Sequence, residues 1–132
     1  MAKGRRDYTW GLLIESSTEG RYGTSFIKHD NKSIGIAGFE TVYTYTVPLG
    51  YRLVVNRIEF STSLRTYNIC QVLIQSVIVS YMFFSVTQSV IYGDQNPLYV
   101  LEGQTIDLKA VNMDVIAGTF YATLVGVLQQ LT

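Results

Sequence analysis

The residues that could carry chemistry in this chain are few and widely spaced. His29 is the only histidine and Cys70 the only cysteine among 132 residues. A Ser-His-Asp triad, a Cys-His pair or a zinc site needs a histidine beside further partners, or several cysteines. His29 stands between Lys28 and Asp30 at the edge of a predicted loop, and Cys70 stands in an apolar run, where a free cysteine is usually buried and inert. These residues predict no catalytic site, no metal site and no bound cofactor.

Carboxylates offer another route to acid–base chemistry. A glycosidase needs two carboxylates that face each other across the scissile bond. The candidate acids fall in separate predicted strands or turns: Glu15, Glu40, Glu59, Glu102 and Asp107. Glu59 and Asp107 have the pattern of solvent-facing strand charges. The sequence also contains neither a GxxxxGK[ST] phosphate loop nor a DxDxDG calcium loop. We therefore expect a protein that binds partners and is not an enzyme.

Composition and charge favour a protein that assembles. Charged residues form 15% of the chain and hydrophobic residues 48%, whereas roughly 25% of a typical soluble domain is charged. The ten basic and ten acidic residues cancel, which disfavours a basic nucleic-acid-binding domain. Nine of the basic and six of the acidic residues precede position 66, so the two halves carry +3 and −3. Such separation favours contact with other copies or with an assembly; ordinary scatter of surface charge is the alternative.

The elements that must position these residues are predicted to be strands. Apolar and polar residues alternate with strand periodicity, and Pro48-Leu49-Gly50 predicts a turn. The set of inward-facing residues changes at Val54-Val55, which predicts a bulge or bend there. Residues 30–33 are predicted to form a loop. No capped segment has helical periodicity. We expect an all-β chain with a flexible basic arm over residues 1–7 and one antiparallel, jelly-roll-like β-sandwich of about eight strands over 8–132. The strands are predicted at 8–17, 25–28, 40–47, 51–61, 69–79, 82–92, 98–101, 105–110 and 119–128.

Residues 66–93 contain no charged side chain. Their most apolar part, 69–86, is long enough to cross a bilayer as a helix, and a small membrane-associated protein is therefore one hypothesis. Interrupting Gln and Ser residues and clustered β-branched residues instead favour two strands that are buried on both faces or covered by a subunit contact. We expect a homo-oligomer and no membrane span. The candidate interface residues are Gln71, Gln75, Ser80, Tyr81 and Phe83.

The N-terminal arm supplies a second candidate contact. Lys3, Arg5 and Arg6 could bind an anionic partner such as an acidic protein lattice. Three charges alone would give only weak, salt-sensitive binding to nucleic acid.

Two stretches resemble a known group of proteins. One is the strand–turn–strand TVPLGYRLVV at 46–55, and the other is PLYVLEGQTIDL at 97–108 followed by Asn112 and GTFYATLVG at 118–126. Together they resemble the small jelly-roll β-sandwich proteins of tailed phages and other viruses, which serve as decoration, spike or tail-tip modules. The motifs also occur in other β-sandwiches, including trimeric tumour-necrosis-factor-like domains. The resemblance implies a virion location, self-association as a trimer, and docking on capsid or tail proteins.

A virion structural protein is therefore the leading functional hypothesis. The alternative is a carbohydrate- or receptor-binding β-sandwich lectin, which would use aromatic side chains as a platform. Its candidate residues are Tyr43, Tyr45, Tyr51, Tyr67, Tyr81 and Tyr121.

Overall fold

The computed structural model describes residues 23–93 and 96–131. This part of the chain forms nine strands in two antiparallel sheets and contains no helix, so the predicted all-β sandwich is confirmed. The predicted arm over 1–7 and the predicted strand over 8–17 lie outside the described residues. The strands are β1 (Gly23–Ile34), β2 (Phe39–Thr46), β3 (Tyr51–Thr62), β4 (Asn68–Ile74), β5 (Val77–Phe84), β6 (Thr87–Ile91), β7 (Leu98–Val100), β8 (Thr105–Val111) and β9 (Gly118–Gln130).

The strand order is that of a jelly roll. Apart from the short β7, the chain pairs like one long hairpin that has been rolled up: β1 with β9, β2 with β8, β3 with β6 and β4 with β5. Alternate pairs join different sheets, which gives the orders β1-β9-β3-β6 and β2-β8-β4-β5. This is the double Greek key of a jelly roll. The extra strand β7 pairs with β3.

The core lies between the two sheets and is almost wholly apolar. Phe84 of one sheet packs between Phe60 and Phe120 of the other, with ring centroids 6.2 and 6.3 Å apart. Each aromatic pair adds about 1 kcal/mol beyond the burial of its surface. Cys70 is 2% exposed and belongs to this cluster, as its apolar neighbours predicted.

In the sheet that contains β1, the structure differs from the sequence prediction at two elements. The predicted short strand 25–28 and loop 30–33 are one continuous strand, β1, and His29 lies within it instead of at a loop edge. Residues 28–33 are polar, and hydrophobic alternation therefore did not reveal them. β1 is an edge strand, and its backbone pairing with the long β9 needs no apolar side chains.

The uncharged segment forms three strands instead of the predicted two. A turn at Gln75-Ser76 divides the first predicted strand, and a turn at Ser85-Val86 divides the second. Gln75, Ser76 and Val86 have φ values of 52°, 67° and 68°, the left-handed conformation that hairpin turns usually give to Gly or Asn. The usual turn signal was therefore missing. Only β4 is central; β5 is an edge strand with most of its side chains exposed, so burial on both faces was wrong for it.

The predicted turn and bulge of the strand β3 region are present with small shifts. Tyr51 donates its backbone N–H to the Pro48 carbonyl, so Pro48 is the first residue of the turn and not the second. Gly50 takes the positive φ, 85°, that the prediction assigned to it. The register with β9 shifts between Val55 and Arg57, one residue beyond the predicted bulge.

Candidate interaction surfaces

The first apolar surface lies on the outer face of the β2-β8-β4-β5 sheet. Residues 70 and 72 of β4 point into the core, so positions 69, 71 and 73 point outward. Their cross-strand partners on β5 are Phe83, Tyr81 and Ile78. We call these six residues the outer patch: Ile69, Gln71, Leu73, Ile78, Tyr81 and Phe83.

Within the outer patch, the β5 side chains are the exposed ones. Tyr81 is 52% and Phe83 59% exposed, and their rings meet edge to face at 6.3 Å. The β4 members Ile69 and Leu73 are buried. Gln71 is half-buried opposite Tyr81. The structure therefore brings together three of the five candidate interface residues: Gln71, Tyr81 and Phe83.

The other two candidates lie elsewhere and make local bonds. Ser80 pairs with the inward-pointing Val72, and its hydroxyl lies 3.1 Å from the Tyr92 hydroxyl. Gln75 lies in the β4–β5 turn, where its side-chain oxygen accepts the Thr105 backbone N–H at 2.7 Å. These side chains stabilise the domain. Gln75 lies beyond the end of β4, so strand alternation does not apply to it. The bulge at Val79 places Ser80 opposite the inward-pointing Val72.

A second apolar surface lies at one end of the sandwich, where four connections meet. We call it the braced loop end; it comprises residues 35–38, 63–67, 85–86 and 112–117. Its exposed apolar side chains are Ile36, Tyr67, Val86, Met113, Val115 and Ile116, of which Val115 is 81% and Tyr67 70% exposed.

Two fully buried asparagines hold the braced loop end in shape. The Asn112 side-chain amide donates to the Ile34 and Ile116 carbonyls, each at 2.9 Å, and its oxygen accepts the Asp114 N–H. The Asn68 side-chain oxygen accepts the Met113 N–H at 2.7 Å. Buried amides with all these bonds fix the loop backbone, so the apolar side chains are presented on a defined scaffold.

Asp114 joins two of these loops through its carboxylate. It accepts the Thr66 hydroxyl at 2.7 Å and the Val115 N–H at 2.6 Å. The Thr66 hydrogen bond, followed by the backbone hydrogen bond, lowers the pKa of Asp114. The only feature of the sequence that indicated the braced loop end is Asn112 beside apolar loop residues. The bracing itself joins residues up to 78 positions apart and has no local signal.

The described residues considered for catalysis lie on separate strands or turns, and Glu15 is outside the described part of the chain. His29 is exposed on β1 opposite Thr123. Burial raises the pKa of the Cys70 thiol to about 12, so it stays protonated and unreactive. The Glu59 carboxylate accepts the Ser89 hydroxyl, and Asp107 accepts the Thr44 hydroxyl, on different sheets. Across residues 23–93 and 96–131, no three His, Cys, Asp or Glu side chains are grouped to hold a metal ion.

The tyrosines considered for a sugar platform are dispersed. Tyr43, Tyr45 and Tyr51 pack against the core, and burial raises the pKa of Tyr43 and Tyr45. Of the exposed ones, Tyr121 lies on β9 and Tyr67 in the β3–β4 connection, and each is on a different surface from Tyr81. Tyr81 alone stands beside another exposed aromatic ring, that of Phe83.

Two further predictions concern the basic residues of the N-terminal arm and a membrane helix over 69–86. Lys3, Arg5 and Arg6 lie outside the described residues. Residues 69–86, considered as a membrane helix, form β4, β5 and their turns. The described part of the chain contains no helix of the length and hydropathy that a bilayer crossing requires.

No protein-family model and no curated protein sequence matches this chain.

Proposed function

We propose that this protein is a structural component of a virus particle, a self-associating jelly roll that docks on a capsid or tail. The outer patch is the observation that carries the proposal. It places exposed aromatic and aliphatic side chains on strands that contain no charge. Burial of such surface stabilises association by about 25 cal/mol per Å², and clustered exposed apolar residues are typical of interaction sites.

Docking on the particle is assigned to a different surface. The braced loop end has an apolar rim on a fixed scaffold, so binding there orders little further backbone and costs little entropy. The resemblance of residues 46–55 and 97–126 to jelly-roll virion proteins favours a capsid or tail protein as the partner. Lys3, Arg5 and Arg6 add an electrostatic contact to an acidic lattice.

Quantitative mass spectrometry of purified particles tests this proposal. We expect the protein in gradient-purified particles of the virus that encodes it, at a fixed ratio to the major shell or tail protein. Particles that lack the protein while infected cells contain it would contradict a virion role.

Rebinding to particles that lack the protein separates the two docking contacts. Val115→Asp should abolish rebinding, because it places a charge on the apolar rim. Deletion of residues 1–7 should weaken rebinding at low salt and have little effect at high salt, where the charges are screened. Leu49→Asp is the matched control, since Leu49 is 82% exposed in the β2–β3 turn, outside the braced loop end.

Glycan binding is the second candidate function. The outer patch is a better candidate sugar site than the other tyrosines, which are dispersed. Two adjacent exposed rings with the Gln71 amide beside them offer a stacking face and hydrogen bonds for a sugar. A glycan array distinguishes the two functions. Specific glycan binding that Tyr81→Ala abolishes, by protein that is absent from particles, would replace the virion proposal with the lectin.

A further inference from the structure

Strand β5 is an open edge with an unusual composition. Among the described residues it pairs only with β4, so within this part of the chain the backbone N–H and C=O groups on its other side have no strand beside them. Edge strands normally carry charges, Pro or strong irregularity that prevent pairing with another chain. β5 reads VIVSYMFF and contains no charged residue and no Pro, although it has a bulge at Val79. Val77 is 63% exposed at its start and Phe83 59% near its end.

The edge strand β1 of the other sheet is protected. β1 carries Lys28, Asp30 and Lys32, which alternate on the same side as the buried Phe26 and Ile34. Lys32 forms an ion pair with Glu40 at 3.6 Å. Inward-pointing charges of this kind are a usual device against edge-to-edge pairing. The same fold thus blocks one edge and leaves β5 open.

We propose that β5 of one copy pairs antiparallel with β5 of a second copy, across a two-fold axis, to form one continuous eight-stranded sheet. This inference rests on the self-association in the proposed function and specifies its geometry. In this arrangement the open backbone groups of both strands bond to each other. The outer patches become neighbours on one face of the joined sheet, and Tyr81 and Phe83 of each copy lie at the seam.

A second copy of the chain fits this edge by charge. Residues 66–93 of both copies are uncharged, so two β5 strands meet without like-charge repulsion and without leaving any charge unpaired at the seam. A charged partner strand would find no complement there. An isologous contact uses the same strand from both copies, so each β5 meets an uncharged edge identical to its own.

Pairing of β5 with β5 fixes the number of copies in the assembly. An isologous β5–β5 contact closes after two copies and gives a dimer. The trimer implied by the resemblance to virion proteins would require a heterologous contact through another surface. The number of copies in solution therefore distinguishes this edge contact from the general proposal of self-association.

Sedimentation of the full chain and of charge variants gives the first test. We expect a wild-type dimer and a dissociation constant raised at least about a hundredfold by Tyr81→Lys, because two like charges then meet at the seam. Val77→Lys at the strand's first position should act in the same direction. Ile27→Lys is the matched control, since Ile27 is 67% exposed on β1, an edge strand of the other sheet; it should leave the dimer unchanged. Circular dichroism and thermal unfolding establish that each variant is folded.

Concentration-dependent hydrogen exchange tests the backbone pairing itself. Amides of residues 77–84 that point away from β4 should exchange slowly in the dimer and faster on dilution, while amides of β1 should be unaffected. Dimers in which residues 77–84 show no such change would overturn edge pairing in favour of face-to-face packing. A trimer insensitive to Tyr81→Lys and Val77→Lys would overturn edge pairing but keep self-association. A wild-type monomer at micromolar concentration would overturn both.

Discussion

At the scale of single residues, Asn112 shows how one buried amide organises a surface. Both of its amide protons are used, one on the Ile34 carbonyl at the end of β1 and one on the Ile116 carbonyl in its own loop. Its backbone N–H donates to the Gly38 carbonyl in the β1–β2 turn. A single residue thus ties the β8–β9 connection to the β1–β2 turn.

Replacement of this amide should be costly. Asn112→Ala leaves two carbonyls and the Asp114 N–H without their partner in a buried site, and we expect a loss of about 3 kcal/mol in the free energy of unfolding. Urea titration measures it. Asn31→Ala, at an exposed position of β1, is the control and should change stability by less than about 0.5 kcal/mol. A similar small effect at both positions would show that the loop does not depend on Asn112.

Cys70 predicts a pH dependence with a definite sign. Its pKa rises from an ordinary 9.0 to about 12 in the folded chain because the thiol is buried. Between these values the unfolded chain loses the proton and the folded chain keeps it. The thiol's contribution is therefore complete below pH 9 and declines as the pH rises towards 12, by at most about 1.4 kcal/mol per pH unit.

The comparison of wild type with Cys70→Ala isolates this effect from other titrating groups. At pH 7 the variant should be about 1 kcal/mol less stable, through lost packing. The difference should shrink above about pH 9 and reverse near pH 10, because alanine has no proton to lose. Urea unfolding from about pH 7 to 10.5 measures both proteins, and a constant difference across this range would refute the expectation.

At the scale of elements, strand β9 depends on the absence of a side chain at Gly126. A Cβ at this position would collide with the Val54 carbonyl oxygen of the neighbouring β3. Backbone atoms of two paired central strands have little room to move apart. Gly35, in contrast, has no atom within 4 Å of the place that a Cβ would occupy.

The two glycines should therefore respond differently to the same change. We expect Gly126→Ala to destabilise the domain by about 2 kcal/mol or more, through displacement of β9 from β3, and Gly35→Ala to have an effect below about 0.5 kcal/mol. Thermal and urea unfolding of the pair measure this contrast. Equal losses would mean that β9 is not seated closely on β3.

The elements also show which parts of the fold were predictable from sequence. Alternating segments such as β2 and β8 were predicted to within one residue at each end, because one face of each is buried and the other is wet. The β4–β5 turn was missed because Gln75 and Ser76 adopt positive φ without the usual Gly or Asn. β1 was predicted too short, since its pairing with β9 is a long-range property that polar residues 28–33 do not encode locally.

The candidate surfaces were also predictable only in part from the sequence. Absence of charge over 66–93 drew attention to β4 and β5, and three of the five predicted residues lie together in the outer patch. Ser80 and Gln75 were assigned to it because a regular alternation was assumed through a bulge and a turn. The braced loop end could not be found from spacing, because hydrogen bonds such as Asn112 to Ile34 join residues far apart in the chain.

At the scale of the whole molecule, the two apolar surfaces are arranged for different partners. The outer patch and the β5 edge lie along the side of the sandwich, and the braced loop end lies at one end of it. A jelly roll that joins a copy through its side keeps its end free. Such an arrangement allows a dimer to dock on a particle without competition between the two contacts.

Dimerisation through β5 makes the thermal stability depend on protein concentration. Folded chains that associate while unfolded chains do not are stabilised by mass action, and for a dimer of this size the midpoint of unfolding should rise by about 2–4 °C per tenfold increase in concentration above the dissociation constant. Scanning calorimetry over a hundredfold concentration range measures the slope. Tyr81→Lys should remove it by making the chain a monomer, while Ile27→Lys should preserve it. A midpoint independent of concentration in the wild type would show that the β5 edge does not contribute to stability through a second copy.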